Sequence, residues 1–248
     1  DDKIHTLNAA NKISWTGTGT GASEWGIMSF FGRVSYNYDS KYLFTANIRM
    51  DGSSKLHPDH RWKSFPSFSA AWRISQENFM RNLSWISDLK LRGGWGQTGN
   101  QSGVGDYAYL QRYGITRIEW FKEGQENALP TIYQSNLRTP DLTWETTTQT
   151  NVGLDFSVLS GRVSLQADWY YKKTTDMLMN VTLPAGASVA NTIQRNEGEM
   201  TNTGFEFAIT SHNITGPEFE WTTSLNMSFN RNKLTKLALQ KVYYDATT

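Results

Sequence analysis

The feature that most constrains this chain is a period-two alternation of apolar and polar residues along most of its length. Apolar or aromatic residues occupy every second position from Phe30 to Asp39 and again from Tyr42 to Asp51, on either side of a short polar turn. Because successive side chains of a strand point to opposite faces, each run predicts a β-strand with one apolar face. Three further pairs of runs follow the same pattern, so we predict an all-β chain of about eight antiparallel strands.

The connections between these runs alternate in length. Short ones lie at 39–41, 158–162 and 211–217, one of moderate length lies at 76–88, and long ones lie at 52–65, 98–142 and 174–199. Short turns on one rim and long loops on the other are typical of outer-membrane barrels, whose long loops are extracellular. The predicted division is therefore a loop at 1–25, antiparallel barrel strands with these extracellular loops over 26–231, and a loop at 232–248.

Alternation by itself permits more than one architecture. A soluble sandwich buries its apolar face between two sheets, whereas a membrane barrel turns that face to lipid and lines its lumen with the polar face. A soluble antiparallel module, such as a carbohydrate-binding jelly roll, and a propeller therefore stay open as alternatives at this point. Aromatic residues at strand ends, strands of about ten residues and hydrophilic loops favour a transmembrane β-barrel segment.

A barrel assigns a direction to each of the two alternating sets of residues. The apolar residues expected to point outward to lipid are Phe30, Val34, Phe44, Ile48, Leu165, Phe207 and Leu225. The charged residues expected to face the lumen are Arg33, Arg49, Arg73, Lys90, Arg92, Glu145, Asp168 and Glu206.

Composition narrows the classes of function. The chain has 24 Lys and Arg against 23 Asp and Glu, so its net charge of +1 gives no electrostatic reason to expect nucleic acid binding. It contains no Cys, which excludes disulfides and thiol catalysis within these residues. No run of about 18 apolar residues occurs, so no transmembrane helix is predicted.

Two small clusters of ionisable residues are candidates for metal binding or catalysis. His57 and His60 flank a Pro-Asp pair and are of the residue type that binds divalent metals, but no third His lies close and the segment is ordinary turn chemistry. Glu197 and Glu199 form a carboxylate pair of the kind that glycosidases use, but no apolar setting that would raise a carboxyl pKa is evident, so a solvated loop edge is favoured. We therefore predict no enzyme activity, no metal and no cofactor.

The predicted loop 98–142 is rich in aromatic residues. They are Tyr107, Tyr109, Tyr113, Trp120, Phe121 and Tyr133. Aromatic rings in a polar loop can stack on sugars or clamp peptides, and they can equally form a small core of the loop itself. Both interpretations stay open, and these six residues are the candidate contacts for a substrate or partner.

A series of short motifs gives a resemblance to a known family. Among them, in serial order, are RMDGSSK at 49–55, RWKSFPS at 61–67, GQTGNQ at 96–101, PDLTWETT at 140–147 and DWYYKKTTD at 168–176. This order is similar to the C-terminal barrel portion of the SusC/RagA-type TonB-linked outer-membrane transporters of Bacteroidetes. The resemblance covers most of the chain between the first and last predicted strands.

The resemblance implies a fold and a function that the residues alone do not. It implies a segment of a larger, plugged barrel of the roughly 22-stranded class in the bacterial outer membrane. It further implies import of oligosaccharides or peptides by binding and gated passage, powered through the TonB complex and assisted by a SusD-like surface lipoprotein. No plug domain or TonB box is visible in this chain, so energy coupling is expected from an N-terminal part outside it. About eight strands cannot close such a barrel, and two open sheet edges are expected.

Overall fold

A computed structural model describes residues 23–117, 130–183 and 192–237 of the protein. The strands found in these ranges are β1 (Ile27–Tyr38), β2 (Tyr42–Ser53), β3 (Trp62–Arg73), β4 (Ile86–Asn100), β5 (Tyr113–Arg117), β6 (Pro130–Gln134), β7 (Glu145–Val158), β8 (Val163–Thr182), β9 (Thr192–Thr215) and β10 (Glu220–Lys236). The helical segments among the same residues are three-residue 3-10 turns, and none is a helix that could cross a membrane.

Eight of the strands form one antiparallel sheet in the order β1-β2-β3-β4-β7-β8-β9-β10. β5 and β6 pair separately, as a hairpin inserted between β4 and β7. Each strand of the large sheet pairs only with its neighbours along that order, and within the described ranges β1 and β10 are its two edges. The prediction of an all-β antiparallel fold with about eight strands is confirmed, and the sheet is open.

The register carries the alternation across the whole sheet. Apolar positions pair with apolar positions, as in Val34↔Ala46, Trp72↔Leu91 and Leu165↔Ile209. Because the side-chain period is two, this register gathers one set of residues on one face and the other set on the opposite face. We call them the apolar face and the polar face. All seven residues predicted to point outward share the apolar face: Phe30, Val34, Phe44, Ile48, Leu165, Phe207 and Leu225.

No second layer covers the apolar face in the described part of the chain. Phe30 keeps 60% of its surface exposed, Val34 67% and Ile48 55%. A soluble sandwich would have buried these side chains between two sheets. The sandwich alternative is therefore wrong for the described residues, and the apolar face requires a cover from outside them.

Three of the four connections at one end of the sheet are tight turns, and this end, which also carries the longer connection 74–85, is called the short-turn rim (39–41, 74–85, 159–162 and 216–219). Asp39 and Ser40 both adopt positive φ, at 51° and 54°, and the amide of Lys41 donates to the Tyr38 carbonyl at 3.0 Å. Two consecutive left-handed residues match the twist of the flanking strands, which is why such turns close hairpins. Leu159 and Ser160 repeat this geometry between β7 and β8.

The opposite end is called the long-loop rim (54–61 and, within the described ranges, 101–117, 130–144 and 183), and here the predicted boundaries were wrong. Strand residues replace both ends of the predicted loops: β2 and β3 leave 54–61 of the loop 52–65, β8 runs to Thr182 and β9 begins at Thr192 within the loop 174–199, and β10 continues five residues past 231. The predicted loop 98–142 begins three residues later and ends two residues later, and it contains the β5–β6 hairpin. The reason is physical: backbone pairing continues where apolar residues no longer occupy every second position, as at Met177-Leu178-Met179, so the alternation that marks a strand disappears while the ladder persists.

Burial in this fold is concentrated at the long-loop rim. The apolar residues that are buried in the described ranges are Leu56, Phe65, Val104, Leu142 and Trp144. They come from the β2–β3 loop, from β3 and from both ends of the β4–β7 connection, and they form one cluster, the rim core. Both described ends of the long connection are therefore folded onto the end of the sheet.

Candidate functional site

A network of ion pairs crosses three strands at the centre of the polar face. The Arg92 guanidinium on β4 pairs with Asp155 on β7, Nε to Oδ1 at 3.0 Å, and with Asp168 on β8, Nη2 to Oδ2 at 2.6 Å. Lys90 Nζ lies 2.6 Å from the second oxygen of Asp155. Each of these side chains is partly shielded from solvent, so the network is more than a set of isolated surface pairs.

Gly153 makes this network possible. It is the register partner of both Arg92 and Asp168. A Cβ at this position would lie 2.4 Å from Asp168 Oδ1 and 2.7 Å from Arg92 Cζ, distances at which atoms overlap. The guanidinium thus lies directly over a glycine, which leaves room for carboxylates on both sides.

The remaining charged residues of the polar face have local partners or none. Arg33 donates to Asn47 Oδ1 at 2.7 Å, and Arg49 Nε lies 2.7 Å from Asp51 Oδ1. Arg73 pairs with Asp88 at 3.5 Å, and Glu145 accepts from Asn100 at 3.4 Å. Glu206 stands next to Asp168 in the register and makes no ion pair with another described residue.

The structure thus brings all eight charged residues predicted for the lumen onto one face of the sheet. They are Arg33, Arg49, Arg73, Lys90, Arg92, Glu145, Asp168 and Glu206. That this face borders a lumen stays a prediction. On this face the charged residues of β1–β4 in this set are basic and those of β7–β9 are acidic. The ion pairs of Arg92 connect the two groups.

A groove of about 550 Å³ lies along β3 and β4 on the polar face. Small residues, Ser67, Ser69, Gly94 and Gly96, line it between the amides of Asn47 and Asn151. Here the packing is close, since a Cβ on Gly96 would meet the Ser67 Cβ at 2.8 Å. The groove offers polar groups along an otherwise flat wall.

The long connection between β4 and β7 is anchored by buried and charged contacts. Trp144 Nε1 donates to the Arg61 carbonyl at 2.9 Å, and its ring packs edge-on against Phe65 with centroids 5.8 Å apart. Lys55 Nζ lies 3.0 Å from Asp106 Oδ1 and 4.9 Å from the centroid of the Trp25 ring. These contacts tie the segment before β1, the β2–β3 loop and the β4–β7 connection into one unit.

Asp106 is the titrating member of this unit. The Ser23 hydroxyl donates to its carboxylate, and the Lys55 ammonium also contacts it. Both contacts favour the ionised form, so they hold the pKa of Asp106 below its ordinary value.

The aromatic candidates of the loop have divided surroundings. Tyr113 is 64% exposed and Tyr107 38%, and Tyr107 adopts a positive φ of 60°. Tyr133 is 41% exposed and packs across Gly114, its partner in the β5–β6 hairpin. Tyr109 is half-buried and meets the His57 ring edge-on at 5.8 Å. Trp120 and Phe121 lie outside the described residues.

The other two clusters considered from sequence have ordinary partners. His57 Nδ1 lies 3.3 Å from Asp59 Oδ2, and the described residues hold no group of three or more His, Cys, Asp or Glu placed to bind a metal. Glu197 and Glu199 lie inside β9, not at a loop edge as predicted, and pair with Arg195 and Lys173 at 3.3 and 3.0 Å.

Two features of the site were missed by the sequence reasoning. Asn196 on β9 holds the end of the long connection, because its side chain bonds both the amide and the carbonyl of Thr143, at 2.9 and 3.0 Å. On the short-turn rim, Glu77 accepts from Tyr42 OH at 2.6 Å and from Trp72 Nε1 at 3.1 Å, contacts that lower its pKa. A lone Asn or Glu in a polar segment carries no periodic signal, so only the tertiary structure shows these roles.

The chain is similar to known proteins over most or all of its length. Residues 1–248 match the family model described as TonB-dependent receptor-like, β-barrel. TonB-dependent receptor SusC of Bacteroides thetaiotaomicron is 40% identical over 215 residues, which cover 85% of this chain and 21% of that protein. TonB-dependent receptor P39 of Formosa agariphila is 37% identical over 238 residues, which cover 96% of this chain and 22% of that protein.

Solved structures give the same fold. The RagAB peptide importer in its open-open state superposes with a TM-score of 0.79 at 27% identity, over 97% of this chain and 25% of that one. The siderophore receptor PirA of Pseudomonas aeruginosa, at 13% identity and a TM-score of 0.52, shows a likeness of fold alone. The chain spans about a fifth of the length of the curated relatives it matches.

The sheet, its two faces and the comparisons agree with the resemblance found in the serial motifs. The open eight-stranded sheet corresponds to part of a barrel, and the apolar face that nothing covers within the described residues fits an outer-membrane location. The chain therefore belongs to the TonB-dependent receptor-like β-barrel family, as a SusC/RagA-type member of the bacterial outer membrane.

Proposed function

We propose that this chain forms part of the wall of a TonB-dependent importer that takes up oligosaccharides or peptides across the outer membrane. The observation that carries the proposal is the pair of faces: one sheet, in one register, exposes large apolar side chains on one side and charged side chains on the other. A wall between lipid and a polar passage requires this arrangement.

The two faces then have separate roles. The apolar face contacts membrane lipid, and its aromatic residues near the short-turn rim, including Tyr42 and Trp72 with stacked rings 6.4 Å apart, lie at the membrane interface. The polar face lines the lumen. Transport on this account is binding and gated passage, and the chain carries out no covalent chemistry.

Partners belong to the complete protein. We propose that a SusD-like surface lipoprotein covers the long-loop rim and that the TonB complex acts through an N-terminal part outside this chain. The support is the family membership and the likeness to a RagAB peptide importer and to SusC. Neither relative decides between oligosaccharide and peptide as the substrate of this protein.

The aromatic residues of the β4–β7 connection are the proposed contacts for substrate or lipoprotein. Tyr113 and Tyr107 carry the support, because their rings are exposed at the rim where a ligand would arrive. Tyr109 has a structural partner in His57, so its role in binding is the weaker part of the proposal. The full candidate set is Tyr107, Tyr109, Tyr113, Trp120, Phe121 and Tyr133.

Uptake by cells tests the proposal. The gene for the full-length protein is deleted and restored, and import of fluorescent oligosaccharides and peptides is measured with and without a functional TonB. We expect import of one of these classes to require both the gene and TonB, with the substrate recovered chemically unchanged in the periplasm. If the deletion strain imported both classes of substrate as fast as the restored strain, the proposal would be contradicted.

A second set of strains tests the rim. Ala substitutions at Tyr107 and Tyr113 should weaken substrate or lipoprotein binding by about 1–3 kcal/mol per lost contact while the barrel assembles normally. Tyr36, an exposed aromatic on the apolar face, is the matched control and should leave binding unchanged when replaced by Ala. Unchanged binding in the rim variants would assign these rings to loop packing alone.

A further inference from the structure

A separate pocket opens on the long-loop rim between residues 138–142 and the start of β9. Its cavity volume is about 300 Å³, at the lower end of the range of ligand sites and enough for one sugar or one amino-acid residue. Leu142 and Ile193 supply apolar wall, and Arg138, Asp141, Arg195 and Glu197 supply charge.

The walls of this pocket are fixed by the structure around them. The Asn196 amide donates to the Thr143 carbonyl at 3.0 Å and to the Asp176 carbonyl at 2.7 Å, which joins β9, β8 and the end of the long connection. Leu142 belongs to the rim core and is 3% exposed. The buried Thr139 hydroxyl donates to the Ala108 carbonyl at 2.9 Å. A ligand would therefore enter a formed site and order little of the chain.

The charges in the pocket are unequally satisfied. Arg195 Nη1 lies 3.3 Å from Glu197 Oε1, so these two charges largely offset each other. Arg138 is exposed at the pocket lining and makes no hydrogen bond or ion pair with any residue in the described ranges, so its guanidinium N–H donors are free of protein partners there. Asp141, three residues further on, offers acceptor oxygens without a donor among the same residues.

This pattern favours one chemical group in particular. An arginine without a partner binds a carboxylate through two parallel N–H···O bonds, a geometry that water or a hydroxyl does not match. Asp141 would repel a second anion but accept from a hydroxyl or an N–H next to the carboxylate. A uronic sugar and the C-terminal residue of a peptide both combine a carboxylate with such a donor.

We infer that the pocket between residues 138–142 and β9 binds a carboxylate of the transported substrate, with Arg138 as its principal ligand. The inference rests on the proposed import function and narrows it to substrates that carry a carboxylate. It adds a recognition site at the rim that is distinct from the polar-face ion pairs and from the exposed aromatic rings.

Binding measurements on the purified full-length transporter test the inference with matched pairs of probes. One pair is a trigalacturonic acid and its fully methyl-esterified form, and the other is a pentapeptide with a free C-terminus and its C-terminal amide. We expect the acid of one pair to bind about tenfold more tightly than its neutral form, because the neutral form loses the charge-assisted contact with Arg138, which is weakened by nearby solvent. The pair that discriminates identifies the source of the carboxylate.

Arg138→Gln should remove this discrimination by weakening the acid about tenfold and leaving its neutral form unchanged. Arg112→Gln is the matched control, because Arg112 is an exposed arginine on the same rim that does not line the pocket. Arg195→Gln should have a smaller effect than Arg138→Gln, since Arg195 already pairs with Glu197.

Two results would overturn the inference. One is wild-type protein that binds each acid no better than its neutral partner, or binds none of the four probes. The other is an Arg138→Gln protein that keeps the preference for the acid. The uptake assay with fluorescent oligosaccharides and peptides in the deletion and restored strains separates the two proposals. Intact TonB-dependent uptake with no carboxylate preference in binding removes the pocket assignment alone, whereas absent uptake removes the import function.

Discussion

Replacing Trp144 by Ala should release the long-loop rim from the sheet. Trp144 is 3% exposed, packs against Phe65 and donates its indole N–H to the Arg61 carbonyl. Truncating a buried Trp to Ala typically costs about 3–5 kcal/mol, from lost burial and the cavity that remains. Because the rim core lies at the end of the sheet, we expect the substitution to lower the free energy of local opening of the β4–β7 connection and to leave the stability of the barrel unchanged.

The expected size of the effect follows from that free energy. Since 1.4 kcal/mol is a factor of ten, a loss of about 3 kcal/mol raises the opened population at least about a hundredfold. When opening and closing are fast compared with cleavage, the rate of proteolysis follows this population. Chymotrypsin digestion of the full-length protein in detergent, followed by mass spectrometry, reads cleavage at Tyr107 and Tyr109 directly.

Two further variants make the result interpretable. Trp144→Phe keeps most of the packing and loses the bond to Arg61, so its cleavage should rise by about tenfold, the weight of one hydrogen bond. Trp85→Ala removes a Trp that is 53% exposed on the short-turn rim and should leave loop cleavage unchanged. Cleavage within threefold of wild type in Trp144→Ala would refute the account of the rim core.

Three other predictions concern the charges, the acid response and the apolar face. Gly153→Ala should break the Arg92 ion pairs and destabilise the barrel by about 1–3 kcal/mol. The loss should appear as a lower midpoint temperature in a gel assay of heat-modified mobility. Gly93→Ala is the control and should be tolerated, because a Cβ there would lie 3.8 Å from its nearest neighbour. The pKa of Asp106 is lowered in the folded rim, so the stability it contributes is present above the ordinary carboxyl pKa of about 4 and is lost as pH falls through the lower folded value. Chymotrypsin is inactive at such acidic pH, so pepsin is the protease for this test. As the pH falls through this range, pepsin cleavage of the loop should rise in the wild-type protein relative to an Asp106→Asn protein. Residues 1–248 expressed alone should aggregate in gel filtration without detergent, because the apolar face and both sheet edges lack a cover among the described residues; a sharp monomer peak would contradict this.

The strands could be predicted from sequence where one face is apolar. From Phe30 to Asp51 the alternation specifies both strands, the turn and the face of each side chain, and the register agrees. Beyond Thr174 in β8 the residues on both faces are polar or mixed, so the periodic signal fades although pairing with β9 continues to Thr182. Backbone hydrogen bonds extend the strand there, and they leave no mark in hydrophobicity.

The site could be predicted only in part. Alternation places Arg92, Asp155 and Asp168 on one face, but the choice of partners depends on a three-strand register that a single sequence does not specify. The rim core joins Leu56 to Trp144 across two loops, and the absence of a partner for Arg138 among the described residues is recognised only once its neighbours are known. Both are products of tertiary packing rather than of local pattern.

The most direct test of the account is the direction in which the two faces point in the membrane. Nitroxide labels are placed one at a time at consecutive positions 44–49 of β2 in the full-length transporter, reconstituted in lipid, and their collisions with oxygen and with a water-soluble nickel complex are measured. The account predicts oxygen accessibility at Phe44, Ala46 and Ile48, and nickel accessibility or burial at Thr45, Asn47 and Arg49, with a period of two. The reverse phase, or uniform exposure to the nickel complex, would contradict the assignment of the apolar face to lipid.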